Sequence, residues 1–428
     1  MNMMVSRRSL LGGLALGGAS TLLPGAAFAF KADGAALYPA TAAFIKGFVD
    51  RRELAGTLAA IGKGQAAVDF FGAGTQAMDS TKAVDGDTLW RLYSMTKPVT
   101  GIAAMMLIQD GKLRIDQPIS DFLPAFEKMK VQNTPDGSLT DVRDAKMQIS
   151  IRHLLTHTAG LGYNIIQKGP LRDAYNKAGI VGGQVSRLPI PGFPPVMPAP
   201  SLAAFADRLA ELPLVYEPGT RWSYSVSLDL LGRVIEVASG LPFDVFLKTR
   251  LFDPLGMKST GFRVAAADVG RLTTNYAPFN GMLLPIDPAN SSIYLDEPPM
   301  PYGGGGLVSS ARDYDRFLAM LLGEGETGGV RLLQPEVARL AMSNLLPELA
   351  DTRNSFIAGE GFGAGGRVSL PSSPGGEGIF GWGGAAGTIG FVDRKRGYRV
   401  GGYAQYMPAE ALPFQSKFGP AYFKDVAG

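Results

Sequence analysis

Short apolar runs broken by glycine turns lie at both ends of this 428-residue chain, and helical periodicity fills much of the stretch between them. Strands supplied by both ends must meet around whatever the middle folds into. The pattern therefore predicts a discontinuous α/β domain, residues 30–115 with 296–428, carrying a mostly helical domain over 116–295. Near the start, Leu58–Ile61 and Ala66–Phe71 flank Gly62-Lys63-Gly64, as in a hairpin. Near the end, Arg396-Gly397 separates Ile389–Val392 from Tyr398–Tyr403 in the same way. From Ser94 to Asp110, Val99, Ile102, Met105, Met106 and Gln109 recur at helical spacing, and Gly111 is placed to cap that helix in the left-handed conformation. Ser201 suits the N-cap of a helix carrying Leu202, Phe205, Leu209 and Leu212, and a further helix runs from Ser227 to Ser239, ended by Gly240. Six prolines between Pro189 and Pro200 demand an irregular loop or lid.

Composition narrows the chemistry. Glycine (56) and proline (30) make up about a fifth of the chain, so turns are abundant. A hydrophobic content of 46% with 18% charged residues excludes a disordered chain. The absence of cysteine excludes disulfides, thiolate metal sites, iron–sulfur clusters and a thiol nucleophile. A net charge of +3 provides no electrostatic footprint for nucleic acid. Arg7 and Arg8 precede an apolar run from Leu10 to Leu23, then Pro24 and Ala27-Phe28-Ala29, the layout of a secretory signal. Ser6-Arg7-Arg8-Ser9-Leu10-Leu11 resembles the twin-arginine type, so residues 1–29 are expected to direct export to the periplasm, with cleavage after Ala29. No other run is long enough to predict a membrane span.

Only two histidines are present, His153 and His157, both within one ten-residue segment, and no G-x-S-x-G elbow occurs. Their i, i+4 spacing could serve a metal or a hydrogen-bonded helix end. Leu154 stands where a zinc peptidase needs glutamate, and no third ligand is evident, so no metal is expected. Serine hydrolysis without imidazole needs another base, and lysine is the usual substitute. Ser94-Met95-Thr96-Lys97 is the chain's only serine three residues before a lysine, almost one helical turn, which puts hydroxyl and amine on one face. A lysine amine is a cation at neutral pH and becomes a base only where burial or a neighbouring cation disfavours its charge. Alone, the tetrapeptide equally describes an exposed serine beside a solvated lysine. Tyr224, in Pro218-Gly219-Thr220-Arg221-Trp222-Ser223-Tyr224-Ser225, could relay protons or simply pack. Gly381-Trp382-Gly383-Gly384-Ala385-Ala386-Gly387-Thr388, expected on a strand, could be a bulge or a backbone along which substrate lies.

Together these segments resemble the serine β-lactamase and penicillin-binding-protein superfamily, and within it the family VIII carboxylesterases, esterase relatives of class C β-lactamases. Leu92–Pro98 matches the nucleophile motif, His153–Leu161 matches H-L-L-T-H-T-[AS]-G-L, and Pro218–Ser225 matches P-G-x-x-W-x-Y-S. Gly303–Leu307 and Asp313–Phe317 match a later G-G-L…D-x-x-R-F block. The resemblance implies an antiparallel sheet flanked by helices, with Ser94 as nucleophile and Lys97 and Tyr224 as its base system. It also implies an oxyanion hole from the N–H groups of Ser94 and Ala385, substrate-binding positions at Trp382, Gly383 and Gly384, and no cofactor. Two departures are informative. Tyr224-Ser225-Val226 replaces the Tyr-x-Asn of class C enzymes, and Trp382-Gly383-Gly384 replaces Lys-Thr-Gly. Loss of an amide donor and of a cation favours uncharged acyl esters over carboxylate-bearing lactams or D-Ala-D-Ala peptides. β-Lactamase or D,D-peptidase, amide hydrolase or acyltransferase, and non-catalytic binding relative remain the alternatives.

Overall fold

The computed structural model describes residues 32–188, 196–279 and 281–427. The expected signal segment over 1–29 and residues 189–195 of the proline-rich loop lie outside the described residues. Strands from the two chain ends form one antiparallel sheet. β1 (Gly56–Lys63) and β2 (Asp69–Gly74) come from the first part; β3 (Gly361–Phe362), β4 (Arg367–Val368), β5 (Ile379–Gly383), β6 (Ile389–Asp393) and β7 (Tyr398–Tyr403) come from the last. The spatial order is β3-β4-β5-β6-β7-β1-β2, so the ends meet where Ala60 lies opposite Gly401 on β7 and Phe70 on β2.

Both faces of this sheet are covered, which is why β1 reads as an unbroken apolar run. Successive side chains point to opposite faces. Leu58 and Ala60 join a core with Val99, Ile102 and Met106 of helix Thr96–Gln109, together with Phe317 of helix Ala311–Leu322. Ala59 and Ile61 join another with Ile45 and Phe48 of helix Pro39–Asp50 and Phe414 and Phe418 of helix Phe414–Val426. Between the sheet segments, helices dominate, accompanied among the described residues by three hairpins, Lys130–Gln132 with Val142–Asp144, Asn275–Phe279 with Met282–Asp287, and Glu326–Thr327 with Val330–Arg331.

Local signals hold at the helix ends marked by Ser201 and Gly240. The Ser201 hydroxyl accepts the Ala204 N–H at 3.1 Å, opening helix Leu202–Ala210. Gly240, at φ +78°, closes helix Ser227–Ser239, a conformation only glycine adopts without penalty. Two strand expectations need correction. The second hairpin strand begins at Asp69, not Ala66, because the chain turns at Lys63, whose carbonyl accepts the Ala66 N–H. The strand expected through Gly381–Thr388 stops at Gly383, because the Gly384 N–H bonds the Thr388 carbonyl and closes a turn.

A buried ion pair anchors the segment leading to Ser94. Strand Leu89–Arg91 pairs with Val308–Ser310, and the Arg91 guanidinium is wholly buried. Its Nε lies 2.7 Å from Asp287 Oδ2, and it also donates to the Thr273 carbonyl and the Ser292 hydroxyl. Removing one partner leaves an uncompensated interior charge. Asp287→Ala should therefore cost about 3–5 kcal/mol in urea unfolding. An apolar replacement of both residues should cost much less, and equal losses would show that charge is not the issue.

Candidate active site

Ser94 sits in a single 3₁₀ turn, Tyr93–Met95, that runs straight into helix Thr96–Gln109. Tyr93 holds φ at +44°, a strained value for a non-glycine residue, immediately before the serine. Ser94 is half-buried, whereas Lys97, one turn on, is fully buried. The Lys97 amine lies 3.3 Å from Ser94 Oγ and donates to the Gly304 carbonyl at 2.7 Å.

Tyr224 arrives from the middle of the chain on an extended segment, three residues before helix Ser227–Ser239 rather than at its start. That segment is pinned on both sides: the Ser223 N–H bonds the His157 carbonyl and the Val226 N–H bonds the Gly162 carbonyl. The phenol oxygen consequently lies 2.6 Å from Ser94 Oγ, and the Lys97 amine sits 4.6 Å from the centre of its ring. On the other side, the Trp382 indole N–H reaches the same phenol oxygen at 3.4 Å. Hydroxyl, amine, phenol and indole thus converge from three separate stretches of chain.

The remaining substrate-binding candidates follow Trp382 round the end of β5. A Cβ on Gly384 would lie 2.1 Å from the Leu92 carbonyl oxygen, so only glycine lets this turn approach the serine segment so closely. The Thr388 hydroxyl donates to that same carbonyl, and Gln415 Nε2 ties the turn by bonding the carbonyls of Gly384 and Thr388. Gly383 packs against Gln415. Ala385 is exposed at the tip of the turn, and among the described residues its N–H has no protein acceptor.

Two groups near the amine escaped sequence reasoning as site residues. Asp229, fully buried in helix Ser227–Ser239, accepts the Gly304 N–H at 2.8 Å through Oδ1. It thereby orients the peptide whose neighbouring carbonyl receives Lys97. Burial pushes its pKa up to about 6, against the opposing pull of the Lys97 charge. The only hint in the sequence was an acid in the first turn of an amphipathic helix. Gly304 belonged to a recognised glycine run, but that run did not reveal which carbonyl meets the amine.

The histidines do not converge on a common site. His157 lies beneath Tyr224, ring centres 4.9 Å apart, and its Nδ1 lies 3.0 Å from the Ser225 hydroxyl and 3.3 Å from the Ser225 N–H. Burial, then the Lys97 charge, holds its pKa well below the usual imidazole value, so it supports the phenol as a neutral ring. His153 completes a capping box with Ser150, its Nδ1 accepting the Ser150 N–H. Burial pushes the His153 pKa down to about 4. Below pH 6.5 the unfolded chain gains a proton that the folded chain refuses until about pH 4, so stability falls as pH drops through that window. His153→Gln keeps a capping-box acceptor without titrating. Wild type should lose most of roughly 3 kcal/mol relative to this variant between pH 7 and pH 4 in urea unfolding. Parallel pH profiles would contradict the assignment.

The chain is similar to known proteins along most of its length. The family model described as Beta-lactamase matches residues 41–414. Protein Rv1367c of Mycobacterium tuberculosis is 38% identical over 327 residues, 74% of this chain and 77% of its own length. Esterase EstB of Burkholderia gladioli is 29% identical over 391 residues, 87% of this chain and 91% of its own. The solved structure of EstCE1, a hydrolase with promiscuous acyltransferase activity, superposes with a TM-score of 0.73 at 27% identity, covering 92% of this chain and 98% of that one.

Proposed function

The chain belongs to the beta-lactamase family, and from that premise we propose that it is a carboxylesterase working through an acyl-enzyme on Ser94. The observation that carries this reading is the placement of a buried amine and a phenol within 3.3 and 2.6 Å of one half-buried serine hydroxyl. Ser94 Oγ attacks the ester carbonyl carbon, and its proton passes to the Lys97–Tyr224 pair. The N–H groups of Ser94 and Ala385 receive the oxyanion. When the tetrahedral intermediate collapses, the C–O bond to the alcohol breaks and the pair returns the proton to the departing alkoxide. Water then adds to the acyl-enzyme by the same route in reverse, releasing the acid and regenerating Ser94.

Trp382 supports uncharged esters over lactams, since an indole stands where a carboxylate-binding cation is expected in class C enzymes. The esterases among the relatives support the same choice. Short to medium acyl chains suit an apolar wall of this kind. Acyl transfer to another alcohol is the second reading, favoured by the acyltransferase activity named for EstCE1. A panel of p-nitrophenyl esters of rising acyl length, run beside a chromogenic cephalosporin, tests the assignment. Faster cephalosporin turnover than ester turnover would reverse it.

The same reading keeps the division into a two-part α/β domain and a mostly helical middle domain, supported by the two-ended sheet. It also assigns residues 1–29 to export, supported by the paired arginines and the apolar run behind them. Among the described residues, no helix is long and apolar enough to cross a membrane.

A further inference from the structure

Phe356 is 63% exposed, yet its ring stands edge-on to Tyr224 at 5.9 Å and to Trp222 at 6.2 Å. Its loop is held on both sides. The Asp351 N–H bonds the Thr220 carbonyl and the Trp222 N–H bonds the Asp351 carbonyl, stitching the loop to the tyrosine segment. On the far side, Ile357 is buried in the main core. The aromatic ring is therefore an outward-facing surface fixed beside the phenol.

Chemistry decides which part of a substrate meets it. In acylation the departing alkoxide must collect the proton that left Ser94. Lys97 is fully buried, whereas Tyr224 is 9% exposed, so the phenol is the member of the pair that reaches outward. The alcohol oxygen must then lie at the Tyr224 hydroxyl, and the carbon chain attached to it continues outward past the ring. Resting on the esterase reading, we propose that Phe356 is the specificity residue for the alcohol portion of the substrate, forming an apolar wall for alkyl or aryl groups of about four carbons or more. An alcohol replacing water in deacylation enters by the same path. Its oxygen bonds the acyl carbon, the Ser94 Oγ–acyl bond breaks, and its proton passes through the pair to Ser94.

Two substrate series test this. Alkyl acetates, methyl to butyl, vary the alcohol; p-nitrophenyl acetate to hexanoate vary the acyl group. Each buried methylene is worth about fourfold in affinity, and one wall covers about half of the three that separate butyl from methyl. The butyl-to-methyl ratio of kcat/KM should fall about tenfold in Phe356→Ala and be largely kept in Phe356→Leu. The acyl-length profile should keep its slope. An unchanged alcohol ratio, or a change in acyl slope instead, overturns the inference. A uniform fall across both series would make Phe356 only a prop for Tyr224 and overturn it equally. Failure of the unaltered protein to turn over any ester removes the esterase reading itself, and the inference with it.

Discussion

Ser94→Ala should reduce hydrolysis of p-nitrophenyl butyrate by a factor on the order of 10⁴ or more, because the nucleophile cannot be replaced by any neighbouring group. The fold should survive. Ser94 is half-buried, and its hydroxyl's protein contacts are with Lys97 and Tyr224, both held independently by Gly304 and by the backbone bonds around Ser223 and Val226. Circular dichroism and urea unfolding should match wild type. A phosphonate ester that phosphonylates serine hydrolases should add the mass of its phosphonyl group, its leaving group being expelled, to wild type and leave the variant unmodified. Turnover unchanged in Ser94→Ala would exclude an acyl-enzyme at this position.

Lys97→Ala and Tyr224→Phe should each lower kcat by roughly 10²–10⁴, the range expected when general acid–base catalysis is removed. The double variant should be far better than the product of the two losses predicts. The reason is geometric: both groups meet the same oxygen, and the amine faces the phenol ring at 4.6 Å, so neither can relay the proton properly once the other is gone. A double-mutant cycle in kcat measures this directly. Strictly multiplicative losses would show two independent contributions and would require a different path for the Ser94 proton.

The helices and strands nearest the site were legible because their signals are local. Ser201 and Gly240 mark helix ends through bonds and torsions that involve only a few adjacent residues, and the apolar run of β1 reports a strand covered on both faces. The turn at Gly384–Gly387 was misread as strand because glycine runs fit either state. Contact with the Leu92 carbonyl, nearly three hundred residues away, chose between them. Asp229 was passed over for the opposite reason. An acid in the first turn of a helix carries no signature of its own until the Gly304 peptide is placed against it.

The spacing of Ser94 and Lys97 alone put hydroxyl and amine on one side of a helix, since three residues nearly complete a turn and backbone hydrogen bonding fixes the rest. The order of the glycine-rich and tryptophan-bearing segments likewise carried the family resemblance. What lay beyond the sequence was convergence. Tyr224 and Gly304 reach the Ser94–Lys97 pair, and Phe356 reaches the phenol, on loops whose courses are set by packing against distant elements, while Trp382 arrives on β5; no periodicity encodes the distances between them. Only when the sheet joins both chain ends, and helix Ser227–Ser239 packs on helix Thr96–Gln109, do these side chains acquire a common centre.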